Sequence, residues 1–220
     1  MPKPLRIDFV SDVSCPWCVI GLGGLEEALA RVGDLIQADI HFQPFELNPD
    51  MPAEGQNITE HIAQKYGSTP EQSAASREAI RARAAQVGFA MAMTADSRIY
   101  NTFDAHRLLH WAEIEGRGSA LKHRLFEIYF TEDQSPGDHE VLVEAAVLAG
   151  LDGDTAREVL TSGRYAQEVR AAERHWRDLG INGVPAVVID NRYLISGGQP
   201  AAAFEQALRD IAAQLEFVSA

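Results

Sequence analysis

Cysteine is scarce in this chain, and positive charge is in deficit. The 220 residues include two cysteines, Cys15 and Cys18, which excludes a framework of several structural disulfides. Lysine and arginine together number 19 against 32 aspartates and glutamates, giving a formal net charge of −13. Nucleic acid and anionic membranes repel a surface of that sign, so we expect neither as a partner.

Long apolar runs are missing as well. No stretch reaches the roughly eighteen apolar residues that a membrane-spanning helix needs. The N-terminus, residues 1–5, enters a strand-like run directly and lacks the apolar core and small-residue cleavage site of a secretory leader. We therefore predict a cytoplasmic protein. In that compartment two cysteines are more often catalytic or redox-sensing than structural.

Both cysteines belong to the segment Ser14-Cys15-Pro16-Trp17-Cys18. A strand-like run, residues 5–10, precedes this segment, and apolar residues at helical spacing follow it. The pattern predicts Cys15 as a helix N-cap and Pro16 as the first helical residue, where a missing N–H does no harm. Residues three apart share a helix face, so both sulfurs are expected at the helix N-terminus.

That position favours the anionic thiolate, which is the reactive form of cysteine. We predict Cys15, at the exposed cap, as the nucleophile, and Cys18, one turn further in, as the resolving thiol. A zinc site is disfavoured, because zinc usually takes four ligands and the chain has no second Cys-x-x-Cys. We therefore expect no metal. Two inert buried thiols remain an open alternative.

The rest of the chain divides into two kinds of pattern. Residues 38–45 alternate as a strand, and residues 55–163 contain six helical segments with no strand pattern between them. A helix over 165–179, a strand ending near Asp190, a turn at Asn191-Arg192, a short edge strand and a final helix over 201–215 follow. This predicts an α/β fold made of residues 1–54 and 164–220, with 55–163 as an inserted all-helical domain.

This order of elements resembles a thioredoxin-like fold with a helical insertion, and more narrowly the DsbA family in its FrnE-like branch. The motifs that carry the likeness are Ser14 to Cys18, Asn101 to Leu108, and Gly183-Val184-Pro185-Ala186. The resemblance implies a protein disulfide oxidoreductase that acts through a Cys15–Cys18 dithiol/disulfide on protein or peptide thiols. Its redox-active disulfide needs no cofactor, although glutathione is a candidate reductant. We expect a monomer or a homodimer.

The same resemblance implies roles for several residues. Pro185 would follow a cis bond and stand beside the cysteines, while the backbone of Val184 would pair with the substrate. Pro16 and Trp17 would line the substrate groove; the alternative for Trp17 is a partly exposed aromatic side chain without a role.

Three further residues are candidates without an assigned function. Asp12 would raise the pKa of a nearby thiol, or it is a turn residue at the end of the strand. His106 either faces the redox site or is an ordinary surface or packed histidine of its helix. Asn101 belongs to the second motif, as does Arg107, and its sequence context assigns it no role.

Two other functions stay open. The fold also resembles the 2-hydroxychromene-2-carboxylate isomerases and the kappa-class glutathione transferases, which activate glutathione with a serine at the position matching Cys15. A peptide-binding, chaperone-like module, with the thiols secondary, is the third hypothesis; it would need an apolar surface around Trp17 and Pro185.

Overall fold

The computed structural model describes residues 2–218, with side chains described as far as Leu215. Fifteen elements follow one another in this part of the chain. They are β1 (Lys3–Ser11), α1 (Pro16–Arg31), β2 (Ile36–Pro44), β3 (Gln56–Asn57), α2 (Ile58–Tyr66), α3 (Pro70–Gln86), β4 (Arg98–Ile99), α4 (Phe103–Ile114), α5 (Gly118–Phe130), α6 (His139–Leu148), α7 (Gly153–Ser162), α8 (Ala166–Asp178), β5 (Ala186–Ile189), β6 (Tyr193–Ser196) and α9 (Ala201–Val218).

The central sheet has the strand order β2-β1-β5-β6. β1 runs parallel to β2 and antiparallel to β5, and β6 pairs antiparallel with β5 at the sheet edge. The second half of β1 is buried, as expected for an inner strand covered on both faces. The sheet therefore brings the start of the chain and its last third together, which confirms the predicted α/β thioredoxin-like fold.

The helical segments between the two sheet halves are present, and their ends follow local capping signals. Asn57 accepts hydrogen bonds from the backbone of Thr59 and Glu60 at the start of α2, and Gly67 ends that helix in the left-handed conformation. Thr69 and Gln72 form a reciprocal capping box at the start of α3.

The expectation that no strand interrupts this block is wrong at two short places. β3 and β4 form an antiparallel ladder of two residues each. A two-residue strand is too short to show alternation, and its partner lies beyond two helices, so the local pattern carries no signal for it.

The turn between β5 and β6 begins one residue earlier than predicted. Asp190 and Asn191, rather than Asn191 and Arg192, have positive φ angles, of 48° and 53°. Aspartate and asparagine tolerate this conformation better than arginine does.

One continuous hydrophobic cluster joins the helical block to the sheet. It includes Phe9 of β1 and Phe204 of α9 together with Leu108 of α4 and Phe126 of α5. α1 packs against α9 on the sheet. Within the part of the chain that is described, no helix has both the length and the apolarity needed to span a bilayer.

Candidate redox site

The N-terminus of α1 holds both cysteines. Cys15 is the N-cap residue, with an extended backbone, and Pro16 occupies the first turn, as the local sequence predicts. The backbone N–H of Cys18 donates to the Cys15 carbonyl over 3.0 Å, which closes the first turn. Both side chains are free thiols.

The burial of Cys18 agrees with its predicted place one turn inside the helix, but Cys15 is more buried than expected. Cys18 has no exposed surface, and Cys15 is 3% exposed, so the prediction of an exposed cap is wrong in this respect. The reason is the neighbouring loop: the Cys15 Sγ donates to the Val184 carbonyl at 3.7 Å. The small exposed part of Cys15 lines a cleft, which is described below.

The Val184–Pro185 peptide bond is cis, the geometry that the resemblance implies for this position. Pro185 packs on α1 so closely that a Cβ added to Gly21 would lie 2.9 Å from the Pro185 Cγ. The structure thus brings Val184 and Pro185 next to the cysteine-bearing helix, although most of the chain separates them in sequence.

Cys18 lies in a strongly perturbed environment. Burial raises the pKa of Cys18 well above its ordinary value, and a hydrogen bond with Cys15 adds to the increase. The positive charge of Lys122 acts in the opposite direction and lowers the pKa of Cys18 in part. Cys18 is therefore a thiol at neutral pH, and the charge of Lys122 is one of the effects that favour its ionisation.

Lys122 projects from α5 into the interior and has no exposed surface. Its Nζ lies 4.7 Å from the centre of the Phe126 ring and 5.9 Å from that of Phe42. Among residues 2–218 this nitrogen has no hydrogen-bond partner. Burial lowers the pKa of Lys122 to about 8, against the opposing effect of Cys18 and Asp12. The ammonium group is held instead by aromatic faces and by the nearby charges.

Asp12 and His106, two of the candidate residues, lie together, which the sequence does not predict. Asp12 is fully buried and accepts hydrogen bonds from the backbone N–H of Leu47 at 2.7 Å and of Ser14 at 3.1 Å. The His106 Nε2 is 3.7 Å from an Asp12 oxygen, too far for a good hydrogen bond but close enough for attraction. Burial alone would raise the pKa of Asp12, but His106 and the two N–H donors outweigh it and lower that pKa.

Asn101 is not among the residues that line the cleft beside Cys15. Its side chain donates to the Pro49 carbonyl and accepts from the Phe103 N–H, which ties the loop after β2 to the start of α4. Arg107 is buried and donates to main-chain carbonyls that include that of Leu160, so it connects α4 with the end of α7. Both contacts are structural.

Trp17 is 42% exposed and, with Cys15, lines a cleft of about 350 Å³. One wall is formed by α2 and α3, which sequence reasoning did not connect with the redox site. The lining residues are Ser14, Cys15, Pro16, Trp17, Leu47, Asn48, Ile58, His61, Ile62, Lys65, Tyr66, Ser73, Ser76, Arg77, Ile80, Met93, Ile99, Tyr129, Phe130 and Val184.

Sequence reasoning also missed Lys122, although a signal existed. The helical pattern through Leu121, Leu125 and Tyr129 predicts a buried face, and Lys122 adjoins that face as one of three lysines in the chain. A lysine beside an apolar stripe is usually a surface residue whose stem covers the stripe. The structure places it inside instead.

The fold and this site define a class: a thioredoxin-like protein with a dithiol at a helix N-terminus and a cis-proline beside it. The family description "DSBA-like thioredoxin domain" matches residues 6–209. The chain therefore belongs to the DsbA-like family of thiol oxidoreductases.

Solved structures agree with this assignment. A probable DsbA oxidoreductase from Streptomyces coelicolor is 40% identical, with a TM-score of 0.88, over 94% of this chain and 89% of that one. The cytosolic disulfide reductase DsbM from Pseudomonas aeruginosa is 18% identical with a TM-score of 0.64, over 96% and 99% of the two chains, and has also been solved with GSH. A 2-hydroxychromene-2-carboxylate isomerase is 14% identical with a TM-score of 0.72, over 98% and 100%. The last two likenesses concern the fold alone.

Proposed function

We propose that this chain is a cytoplasmic protein disulfide oxidoreductase that reduces disulfides of protein or peptide substrates through Cys15 and Cys18, with glutathione as its reductant. The observation that carries the proposal is the pair of free thiols at the start of α1, with Cys15 lining an open cleft and contacting Val184.

The reaction follows from the unequal positions of the two thiols. The Cys15 thiolate attacks one sulfur of a substrate disulfide, forming a mixed disulfide and releasing the other substrate sulfur as a thiolate. The Cys18 thiolate then attacks the Cys15 sulfur, which releases the second substrate thiol and leaves a Cys15–Cys18 disulfide. Two electrons thus pass from the protein to the substrate. Two molecules of a thiol such as glutathione then reduce the Cys15–Cys18 disulfide and are themselves oxidised to a disulfide.

The electrostatics support this order of events. The pKa of Cys18 is raised by burial, so Cys18 stays protonated while Cys15 makes the first attack. The second step needs the Cys18 thiolate, and the Lys122 ammonium group favours that anion. The cleft leads a substrate to Cys15 and leaves Cys18 inaccessible, because Cys18 has no exposed surface.

Reduction is the favoured direction in a reducing compartment. There the dithiol form is populated, and net disulfide synthesis would require an oxidant to re-form the Cys15–Cys18 disulfide after each turnover. The fold likeness to a cytosolic reductase solved with GSH supports the same direction. The isomerase alternative rests on likeness of fold. The presence of a second thiol, Cys18, one helical turn from Cys15 argues for redox chemistry instead. A peptide-binding module is distinguished by Cys15→Ala, which would leave its binding intact.

A redox titration with a trapping variant tests the proposal. In glutathione buffers, the wild-type protein should show a reversible two-electron transition by thiol labelling. Cys18→Ala should accumulate a mixed disulfide with glutathione through Cys15, detected by mass spectrometry, because no second thiol releases it. Cys15→Ala is the matched control and should accumulate little, since Cys18 is buried. Absence of a Cys15–Cys18 disulfide across the whole titration would exclude the redox function.

A further inference from the structure

The cleft beside Cys15 has the size of a small-molecule site. Its volume of about 350 Å³ falls in the range of about 300 to 1,000 Å³ typical of ligand pockets. α2 lines it with residues at helical spacing, including Ile58, Ile62 and Lys65, and α3 does so with Ser73, Arg77 and Ile80. The two helices thus present one wall, mainly apolar with two cationic side chains, to the accessible side of the redox site.

The charge of this wall is opposite to that of the protein. The chain carries a net charge of −13, yet none of the described residues that line the cleft is an aspartate or a glutamate. Lys65 and Arg77 both line it. Lys65 donates to the Leu47 carbonyl at 2.9 Å and to the Asn48 Oδ1 at 2.7 Å, neutral acceptors that leave its charge uncompensated.

Two buried donors in this wall lack partners. The Ser73 side chain is buried, at 3% residue exposure, and its Oγ has no hydrogen-bond partner among the residues described. The Arg77 Nη1 is inaccessible and equally unpartnered within that part of the chain. Buried polar atoms are nearly always hydrogen-bonded, and leaving one unpaired costs stability. Ser73 and Arg77 stand four residues apart on α3 and therefore on one helix face.

We propose that Ser73 and Arg77 form a carboxylate-binding subsite, supported by the charge of Lys65, that selects small carboxylate-bearing thiols and disulfides for reaction at Cys15. This inference rests on the proposed redox function and specifies its substrate class. A carboxylate offers two acceptor oxygens, which suits a guanidinium and a hydroxyl donor together. The apolar residues Ile58, Ile62 and Ile80 complete a lining that holds the carbon skeleton of such a ligand.

The selectivity can be measured with two disulfides. Glutathione disulfide carries carboxylates, whereas bis(hydroxyethyl) disulfide is neutral. The selectivity is the kcat/KM for glutathione disulfide divided by the kcat/KM for bis(hydroxyethyl) disulfide. We expect Arg77→Met to lower this ratio by about 10- to 100-fold, the effect of losing one charge-assisted hydrogen bond. Ser73→Ala should lower the same ratio by a smaller factor, and Arg77→Lys should restore part of it.

A redox-independent readout accompanies this comparison. S-methylglutathione has no free thiol, so its Kd, measured by calorimetry on the reduced protein, reports binding alone. Arg77→Met should weaken this binding by a similar factor. Arg83→Met is the matched control, because Arg83 is an exposed arginine of the same helix outside the cleft lining. It should keep the wild-type ratio and the wild-type Kd.

The outcomes separate this inference from the proposed function. In one outcome the wild-type protein reduces both disulfides while Arg77→Met keeps the wild-type kcat/KM ratio and the wild-type Kd. That result would overturn the carboxylate subsite and leave the redox function standing. A wild-type protein that forms no Cys15–Cys18 disulfide would overturn the redox function. In that case S-methylglutathione binding, weakened by Arg77→Met but not by Arg83→Met, would still support the subsite. Thermal unfolding of each variant establishes that it is folded.

Discussion

Lys122 is an ammonium group buried without a hydrogen-bond partner among the residues described, and its position has an energetic cost. Burial lowers the pKa of Lys122 from 10.5 to about 8. A depressed lysine pKa means that the unfolded chain binds the proton more tightly, so the fold loses stability as the pH falls from about 10.5 to about 8. At neutral pH this difference corresponds to about 3 kcal/mol of lost stability. The same charge lowers the pKa of Cys18 in part, so the group that costs stability also favours the thiolate of the resolving cysteine.

Replacing Lys122 with methionine should therefore stabilise the reduced protein. Methionine has a similar length and no charge, so Lys122→Met removes the cost of burying the ammonium group and keeps most of the packing. We expect the free energy of unfolding to rise by about 1–3 kcal/mol near pH 7. The gain should shrink towards pH 10, where the wild-type lysine is itself neutral. Urea denaturation in the presence of a reductant measures both values.

The same variant should change the chemistry of the resolving thiol. Because Lys122 lowers the pKa of Cys18, Lys122→Met should raise that pKa further, which the ultraviolet absorbance of the thiolate reports in a Cys15→Ser background. Arg124→Met, on the same helix but paired with Glu132, is the control and should leave the titration of Cys18 unchanged. An unchanged titration in Lys122→Met would show that Lys122 does not act on Cys18.

At the scale of elements, α1 depends on close approach to the backbone of the loop before α9. A Cβ on Gly24 would lie 2.7 Å from the Gln199 carbonyl oxygen, and a Cβ on Gly198 would lie 2.7 Å from the Trp17 carbonyl oxygen. These are backbone atoms, which cannot turn aside as a flexible side chain can. Glycine at both positions lets the loop before α9 pack directly on the helix that carries the cysteines.

Gly24→Ala should accordingly destabilise the protein. Alanine improves helix propensity by about 1 kcal/mol, but the clash with Gln199 forces α1 away from the loop and should cost about 1–3 kcal/mol more than that gain. Gly33→Ala, just beyond the end of α1, would place its Cβ 3.7 Å from the Leu29 carbonyl oxygen, an ordinary contact, and should stay within about 0.5 kcal/mol of the wild type. Equal denaturation midpoints for the two variants would contradict the packing argument.

The sequence predicts elements whose signals are local, and fails where the signal is tertiary. α1 begins at Pro16 as predicted, because the N-cap and the proline act within one turn. The contact of Asp12 with His106 has no local signal, since it depends on how α4 packs against the sheet, where α4 contacts β2. The same holds for the cleft: the spacing of Ile58, Ile62 and Tyr66 predicts a helix but not that these residues line a cleft together with Cys15. Burial of Cys15 likewise follows from Val184, far along the chain.

At the scale of the whole molecule, the negative charge is not confined to the surface. Glu46, just after β2, and Glu173, on α8, are both buried and share Arg170. Burial, together with the charge of Glu173, raises the pKa of Glu46 to about 7, against the partial opposition of Arg170. This cluster connects the first half of the sheet with the helix that leads into its second half, so its protonation affects the stability of the entire fold.

A raised carboxyl pKa means that the folded protein binds the proton more tightly than the unfolded chain does. The stability that Glu46 contributes is thus fully present below about pH 4.5 and is lost as the pH rises through about 7. Glu46→Gln cannot ionise, so its unfolding temperature should increase relative to that of the wild type between about pH 5 and about pH 8. Glu54→Gln, an exposed control, should keep a constant difference over the same interval. A constant difference for Glu46→Gln as well would show that Glu46 does not titrate in this window.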